Sequence, residues 1–148
     1  MTVPKGDLAN IIGIIRKLDS GDIRGIKIKL ERKSNDDDTN YPNYSLIISD
    51  DGKVIYTGVK NVRTVGAKTY QLPKERIQQL IDELQRVYFF TLKDHFNNRK
   101  RDDGLVTVSI SLDDKSKQVT HPIGSTVPRG LAELETRIDE ISESKKWI

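Results

Sequence analysis

The chain has 148 residues, 35% of them hydrophobic and 32% charged, with a net charge of +3 and no cysteine. That length suits one domain able to bury roughly two-thirds of its unfolded surface, and the missing thiols exclude disulfides, cysteine nucleophiles and every cysteine-containing zinc site. Lys and Arg outnumber Asp and Glu by 25 to 22, a surplus too small to imply a polyanionic partner by itself.

Along the chain, Leu8, Ile11, Ile12, Ile15 and Leu18 recur at helical spacing, with Asp7 as N-cap, Gly21 as stop and Ile14 off the stripe. The apolar stretch at residues 8–15 is broken by Asn10 and Gly13 and falls far short of the roughly 20 residues that a bilayer crossing needs. It also lacks the basic flank and cleavage site of a signal peptide, so the chain reads as a mature cytoplasmic protein. Residues 25–32 alternate, with Ile26, Ile28 and Leu30 on one face and Lys27, Lys29 and Glu31 on the other, the pattern of a strand with one wet side. The polar stretch at residues 34–43 is a loop. Its acidic triplet Asp36, Asp37 and Asp38 lacks the ligand spacing of a calcium loop.

The strongest local signal lies at residues 44–58, where two β-branched and aromatic runs flank Asp51 and Gly52. That dipeptide predicts a hairpin with a type I′ turn. Tyr44, Leu46, Ile48, Val54 and Tyr56 share one face, while Ile47 and Ile55 face the other way, so these strands are expected to be covered at least in part on both sides. Gly58 and Gly66 bracket a bend before a fourth strand at residues 67–72. Pro73 then opens the most regular helix, in which Ile77, Leu80, Ile81, Leu84, Val87 and Tyr88 keep helical period, and Phe89 and Phe90 close it against the core. Residues 94–104 form a charged loop, expected to be the most mobile segment. A second hairpin follows, with strands at 106–112 and 117–121, and a last amphipathic helix carries Leu131, Leu134, Ile138 and Ile141 before Trp147 caps the core.

The resulting order is α-β-β-β-β-α-β-β-α. It describes an α+β fold with a mostly antiparallel sheet of about six strands covered by helices. The whole of residues 1–148 is one domain, residues 1–21 being an N-terminal helical extension and residues 22–148 the core.

Tyr41-Pro42-Asn43-Tyr44, then Ile48, Asp51-Gly52, Val54, Tyr56 and Gly58, with Val62 and Gly66 behind them, resemble a functionally uncharacterised microbial domain family. Its signature is Cys-Pro-x-Tyr, an isoleucine-bearing strand, a glycine turn and Val-x-Tyr-x-Gly. The likeness is strongest over residues 25–148. Tyr41 stands where the family's cysteine is expected, so any redox, disulfide or metal role of that cysteine is absent here. The resemblance implies the fold and the single domain, and it brings no activity with it.

Several groups could carry chemistry. His95 follows Asp94 in the charged loop and reads as a surface histidine; His121 precedes Pro122 at a strand end, and a zinc site would need both histidines and a carboxylate to meet. Ser125 and Thr126 after Gly124 lack P-loop spacing and read as turn residues. A nucleic-acid surface could combine Phe96 with Arg99, Lys100 and Arg101 and with Lys27 and Lys29 on the wet strand face, with Arg32 and Lys33 beyond, although Asp94, Asp102 and Asp103 flank that basic run. A partner protein could dock on Leu8, Ile11, Ile12 and Ile15 or on a sheet face; the other reading of that helix is a helix packed on the sheet. The expectation is a noncatalytic binding or scaffold module acting through protein contact, with no cofactor and no metal. Nucleic-acid binding and a hydrolase of unrecognised type are the alternatives.

Overall fold

The computed structural model describes residues 5–34, 40–96 and 104–148, the side chains of residues 5–7 aside. Among the described residues three α-helices and six strands run in the expected order: α1 (Lys5–Asp19), β1 (Ile26–Ser34), β2 (Asn43–Ser49), β3 (Lys53–Lys60), β4 (Gly66–Gln71), α2 (Lys74–Arg86), β5 (Gly104–Leu112), β6 (Lys115–Pro122) and α3 (Arg129–Ile141). The strands form a single antiparallel sheet in the order β4-β3-β2-β1-β5-β6. The fold is α+β. Pairing β1 with β5 places the second hairpin beside the first strand, so the two longest strands lie side by side within the sheet.

Strand periodicity divides the sheet into two unlike faces. The inner face holds Ile26, Ile28, Leu30, Leu46, Ile48, Val54, Tyr56, Val108, Ile110 and Val119, all buried against Ile77, Leu80, Ile81 and Leu84 of α2 and Leu131, Leu134 and Ile138 of α3. The outer face carries Lys27, Lys29, Ile47, Ile55 and Thr57, and Ile55 is 37% exposed. Two-sided covering is therefore not what forms: Ile47 and Ile55 are apolar residues of an open face, where Lys29 and Thr69 are their cross-strand neighbours. A β-branched residue fits a pleated surface whether or not it is covered, so strand composition alone does not report burial.

Three local expectations are corrected. The first hairpin turns through three residues, Asp50, Asp51 and Gly52, with Gly52 N–H donating to Ser49 O at 2.9 Å. Only Gly52 has positive φ, at 89°, which is the type I turn with a glycine bulge rather than a type I′ turn. Helix α1 begins at Lys5, ahead of Asp7, so Asp7 does not cap it. Its buried stripe is Ile11, Ile14 and Leu18, with Ile14 fully enclosed, while Leu8 and Ile12 are 45% and 38% exposed. Six isoleucines and leucines in eleven positions offer two overlapping helical stripes, and packing against β6 selects one of them. The expected stop is present, since Gly21 N–H donates to Leu18 O and Gly21 has φ 80°.

The connection after α2 closes the far edge. Phe89 and Phe90 are buried in a short 3-10 turn, their rings edge to face with centroids 5.6 Å apart. Thr120 N–H donates to Asp94 O and Phe96 N–H to Thr120 O, so residues 94–96 pair with the outer edge of β6 and shield it. The rest of the charged loop, residues 97–103, lies outside the described residues.

Candidate functional site

The pairing register lines up four inward side chains in one row across adjacent strands: Tyr44 on β2 opposes Arg32 on β1, Arg32 opposes Val106 on β5, and Val106 opposes His121 on β6. Helix α3 crosses above that row with Glu135 and Asp139, four residues apart and thus on one helical face. Both acids are buried, at 5% and 7% exposure, and each lands on a partner from the row.

Tyr44 donates its hydroxyl hydrogen to Asp139 Oδ2 at 2.7 Å and accepts one from Arg32 Nε at 3.0 Å. Arg32 Nη2 stands 3.6 Å from the same Asp139 oxygen, and Ser144 Oγ donates to Asp139 Oδ1 at 2.7 Å. Burial, followed by the Asp139 charge, pushes the Tyr44 phenol far above its ordinary value, so it stays a neutral donor. Burial works against the Arg32 charge, yet its polar and acidic neighbours outweigh it and raise the guanidinium above its ordinary range. His121 Nε2 lies 2.6 Å from Glu135 Oε2, and His121 Nδ1 lies 2.9 Å from Pro122 O. Burial again disfavours the charge, but the Glu135 hydrogen bond and negative charge, helped by the Pro122 carbonyl, prevail and raise the His121 pKa above its ordinary 6.5. Because both ring nitrogens face acceptors, the geometry itself calls for an imidazolium.

The surrounding loops shape a cleft over this row. Asn43 is buried, its Oδ1 accepting from Ser34 N–H and its Nδ2 donating to Ser34 Oγ and Tyr41 O, which pins the two ends of the β1–β2 connection. Asn61 Nδ2 also donates to Tyr41 O. Tyr41 and Pro42 are thereby held at one rim. After β6, Ser125 Oγ donates to Pro122 O at 2.7 Å and sits 3.2 Å from His121 Nδ1, so the Ser125 turn supplies the opposite rim. The end of the chain forms the third wall. Ser144–Lys146 make a 3-10 turn, Arg63 N–H donates to Ile148 O, and Thr64 N–H donates to Trp147 O. The Trp147 ring leans on Tyr56 and Tyr70 at centroid distances of 6.5 and 6.1 Å, and Lys68 and Lys146 approach it at 5.4 and 5.3 Å. Trp147 does seal the core there. The cleft so enclosed has a volume of about 580 Å³ and walls of Val106, Ile123, Val127, Ala132 and Ile148 beside its polar row.

His121 and Ser125, singled out from sequence, line the cleft, whereas the residues expected to contact nucleic acid or a partner protein lie elsewhere. Lys27 and Lys29 project from the outer face, with Lys29 registered between Ile47 and Ser109. Phe96 is half-buried at the β6 edge with Lys93 Nζ 5.6 Å from its ring. Arg99, Lys100 and Arg101 lie outside the described residues. Of the α1 set, Ile11 is buried against the sheet, Ile15 is half-buried, and Leu8 and Ile12 face outward. His95 is exposed, and among the described residues no group of three His, Asp or Glu side chains stands in metal-binding geometry. The described helices include none long and apolar enough to cross a membrane.

Sequence reasoning missed Glu135 and Asp139, grouped Arg32 with the basic residues of the outer surface and left His121 as a strand-end residue, although a signal for them exists. Arg32 is in phase with Ile26, Ile28 and Leu30, and His121 with Val119, so each is a charged residue written into a core-facing position. Glu135 and Asp139 follow Leu131 at helical spacing on the apolar side of α3. An in-phase charge must find a partner, and four of them on converging elements mark a site. No curated protein matches the chain. Residues 40–142 match the family described as Domain of unknown function (DUF6438), a span that takes in Tyr44, His121, Glu135 and Asp139 but neither α1 nor Arg32. The chain belongs to that family.

Proposed function

We propose that the chain is a noncatalytic binding module and that the cleft over Tyr44, Arg32, Val106 and His121 is its ligand seat. The observation that carries this reading is a preformed cleft of about 580 Å³ whose acid and base groups are already committed to one another. Concave, mostly apolar sites with a few fixed polar groups are where small ligands and chain segments bind. Catalysis asks for something further, a group free to take or give a proton or to attack. His121 has both nitrogens within hydrogen-bond reach of acceptors, Glu135 Oε2 and Pro122 O, and Ser125 Oγ stands closer to Pro122 O, at 2.7 Å, than to His121 Nδ1, at 3.2 Å. A seat fits these groups better than a relay.

Protein docking on the outer sheet face has weaker support. The exposed Ile55 and Val59 alternate there with Lys53 and Thr57, so no broad apolar patch forms from β3. Nucleic-acid binding would draw on Lys27 and Lys29, which lie on the face opposite the cleft. Backbone amide shift mapping against a mixture of small neutral and charged fragments tests the reading. Shifts gathered at Arg32, Tyr44, Val106, His121 and Ile123 are the expected result. Shifts gathered instead at Lys29, Ile47 and Ile55 would move the seat to the outer face. Turnover of an ester or amide that is lost in Ser125→Ala would replace the binding reading with an enzymatic one.

A further inference from the structure

Building on the reading of the cleft as a ligand seat, we infer that its occupant is a monocarboxylate carried on an apolar stem, gripped by Arg32 and Lys145. Among the described residues the charged side chains lining the cleft are Arg32, His121 and Lys145 against Glu135 and Asp139, three cations facing two carboxylates. The two carboxylates are matched by His121 and by the Tyr44 and Ser144 hydroxyls with Arg32 alongside, which leaves one positive charge in surplus among these five side chains. Lys145 is exposed at the rim, and it makes no ion pair among the described residues.

Arg32 supplies the directional part of the grip. A guanidinium has five N–H donors, and this one donates Nε–H to Tyr44 while its nearest approach to Asp139, 3.6 Å, exceeds hydrogen-bond length. Arg32 lines the cleft, its side chain is only 23% exposed, and its remaining donors have no protein acceptor within hydrogen-bond length among the described residues. Paired N–H groups in a plane match the two oxygens of a carboxylate, and burial strengthens the charge-assisted bonds they make. Tyr44 and Asp139 fix the guanidinium plane before any ligand arrives, which lowers the ordering cost of binding.

Two features restrict the ligand further. Glu135 Oε1 has no hydrogen-bond partner among the described residues and repels a second negative charge, so a monoanion suits the cleft and a dianion such as a phosphate ester does not. Val106, Ile123, Val127 and Ile148 form dry walls beside the cationic end, and these call for an apolar stem rather than a bare ion. The stem could belong to a free short-chain acid or to the C-terminal residue of another polypeptide. These sources share one chemistry and are separable by experiment.

The test is calorimetric titration of the full chain with hexanoate, hexanol, hexylamine and hexyl phosphate, together with a short peptide ending in leucine as the free acid and as the amide. Hexanoate binding about tenfold more tightly than hexanol and hexyl phosphate, with hexylamine weakest, is the expected order. Lys145→Ala should weaken hexanoate by about threefold to tenfold and leave hexanol unchanged, and Arg32→Gln should erase the preference for the acid. Arg32→Gln removes a neighbour of Asp139 and its fold needs a separate check, so the ligand series and the exposed Lys145 carry the decision. Tighter binding of the peptide acid than of its amide assigns the carboxylate to a chain end, and equal weakness of both peptides beside strong hexanoate assigns it to a free acid. Equal affinity for hexanoate and hexanol overturns the carboxylate while the seat survives. Binding of none of the series overturns it as well, and fragment shifts away from the cleft would then remove the seat too.

Discussion

Two neighbouring rows of the same sheet face, one step apart along each strand, do opposite things. Leu46, Leu30, Val108 and Val119 form one row, each no more than 1% exposed. Tyr44, Arg32, Val106 and His121 form the next, and it is polar, ionic and open to a cleft. The first row is held by burial that any well-packed apolar set would supply, roughly 25 cal/mol for each square ångström removed from water. The second costs desolvation of two cations and two acids, and that cost is offset only because every charge meets a partner. A fold gains little stability from such a row, and its place where four strands and α3 converge is what supports the proposed binding role.

The contrast can be attacked from its apolar side first. Leu30→Ala should cost about 4 kcal/mol in chemical unfolding, since the fully buried side chain leaves a cavity between two flanking strands; a loss under 1 kcal/mol would mean that the row is not tightly packed. Gly52→Val comes next at about 3 kcal/mol, because Gly52 has φ 89° and an added Cβ would lie 2.3 Å from Leu72 O. An unchanged melting temperature would contradict the turn geometry.

On the polar side, His121→Gln should cost about 2 kcal/mol at pH 5.5, and this effect depends on pH. The folded pKa of His121 is raised above 6.5, so the stability it contributes is complete below that value and is lost as pH rises through the raised one. The gap between wild type and variant in urea melts should therefore narrow toward pH 9. A gap that widens would show that the pair with Glu135 is not an ion pair. Tyr44→Phe should remove about 1.5 kcal/mol by taking a donor from the buried Asp139. The smallest effect belongs to the outer face, where Ile55→Thr should stay within about 0.5 kcal/mol; a larger loss would mean that something covers that face after all.

Much of this architecture was legible beforehand because period is a local property. Alternation at residues 26–30 and 106–112, the helical repeat after Pro73 and the glycine turn at Gly52 each report on a few neighbouring residues, and each element formed where its period indicated, except that α2 ends at Arg86 and leaves Tyr88, expected on its core stripe, exposed. The site was harder to read for the opposite reason. Tyr44 and Asp139 are 95 residues apart and His121 and Glu135 are 14 apart, and nothing in the local pattern says that they meet. The basic residues that drew attention, Lys27 and Lys29, stood out because they sit on a wet face, which is where charge is cheapest and least informative.

What the chain's order of residues settles alone is the list of elements, their approximate ends, the antiparallel pairing within each hairpin and the exclusion of thiol chemistry. Only the three-dimensional arrangement decides that β1 pairs with β5, that all three helices share one face and that α1 buries Ile14 rather than Ile12. The same arrangement sets Arg32 and His121 in one row beneath Asp139 and Glu135. The reason is physical: periodicity fixes which way a side chain points relative to its own strand or helix, whereas the partner waiting there is chosen by packing between segments distant in sequence.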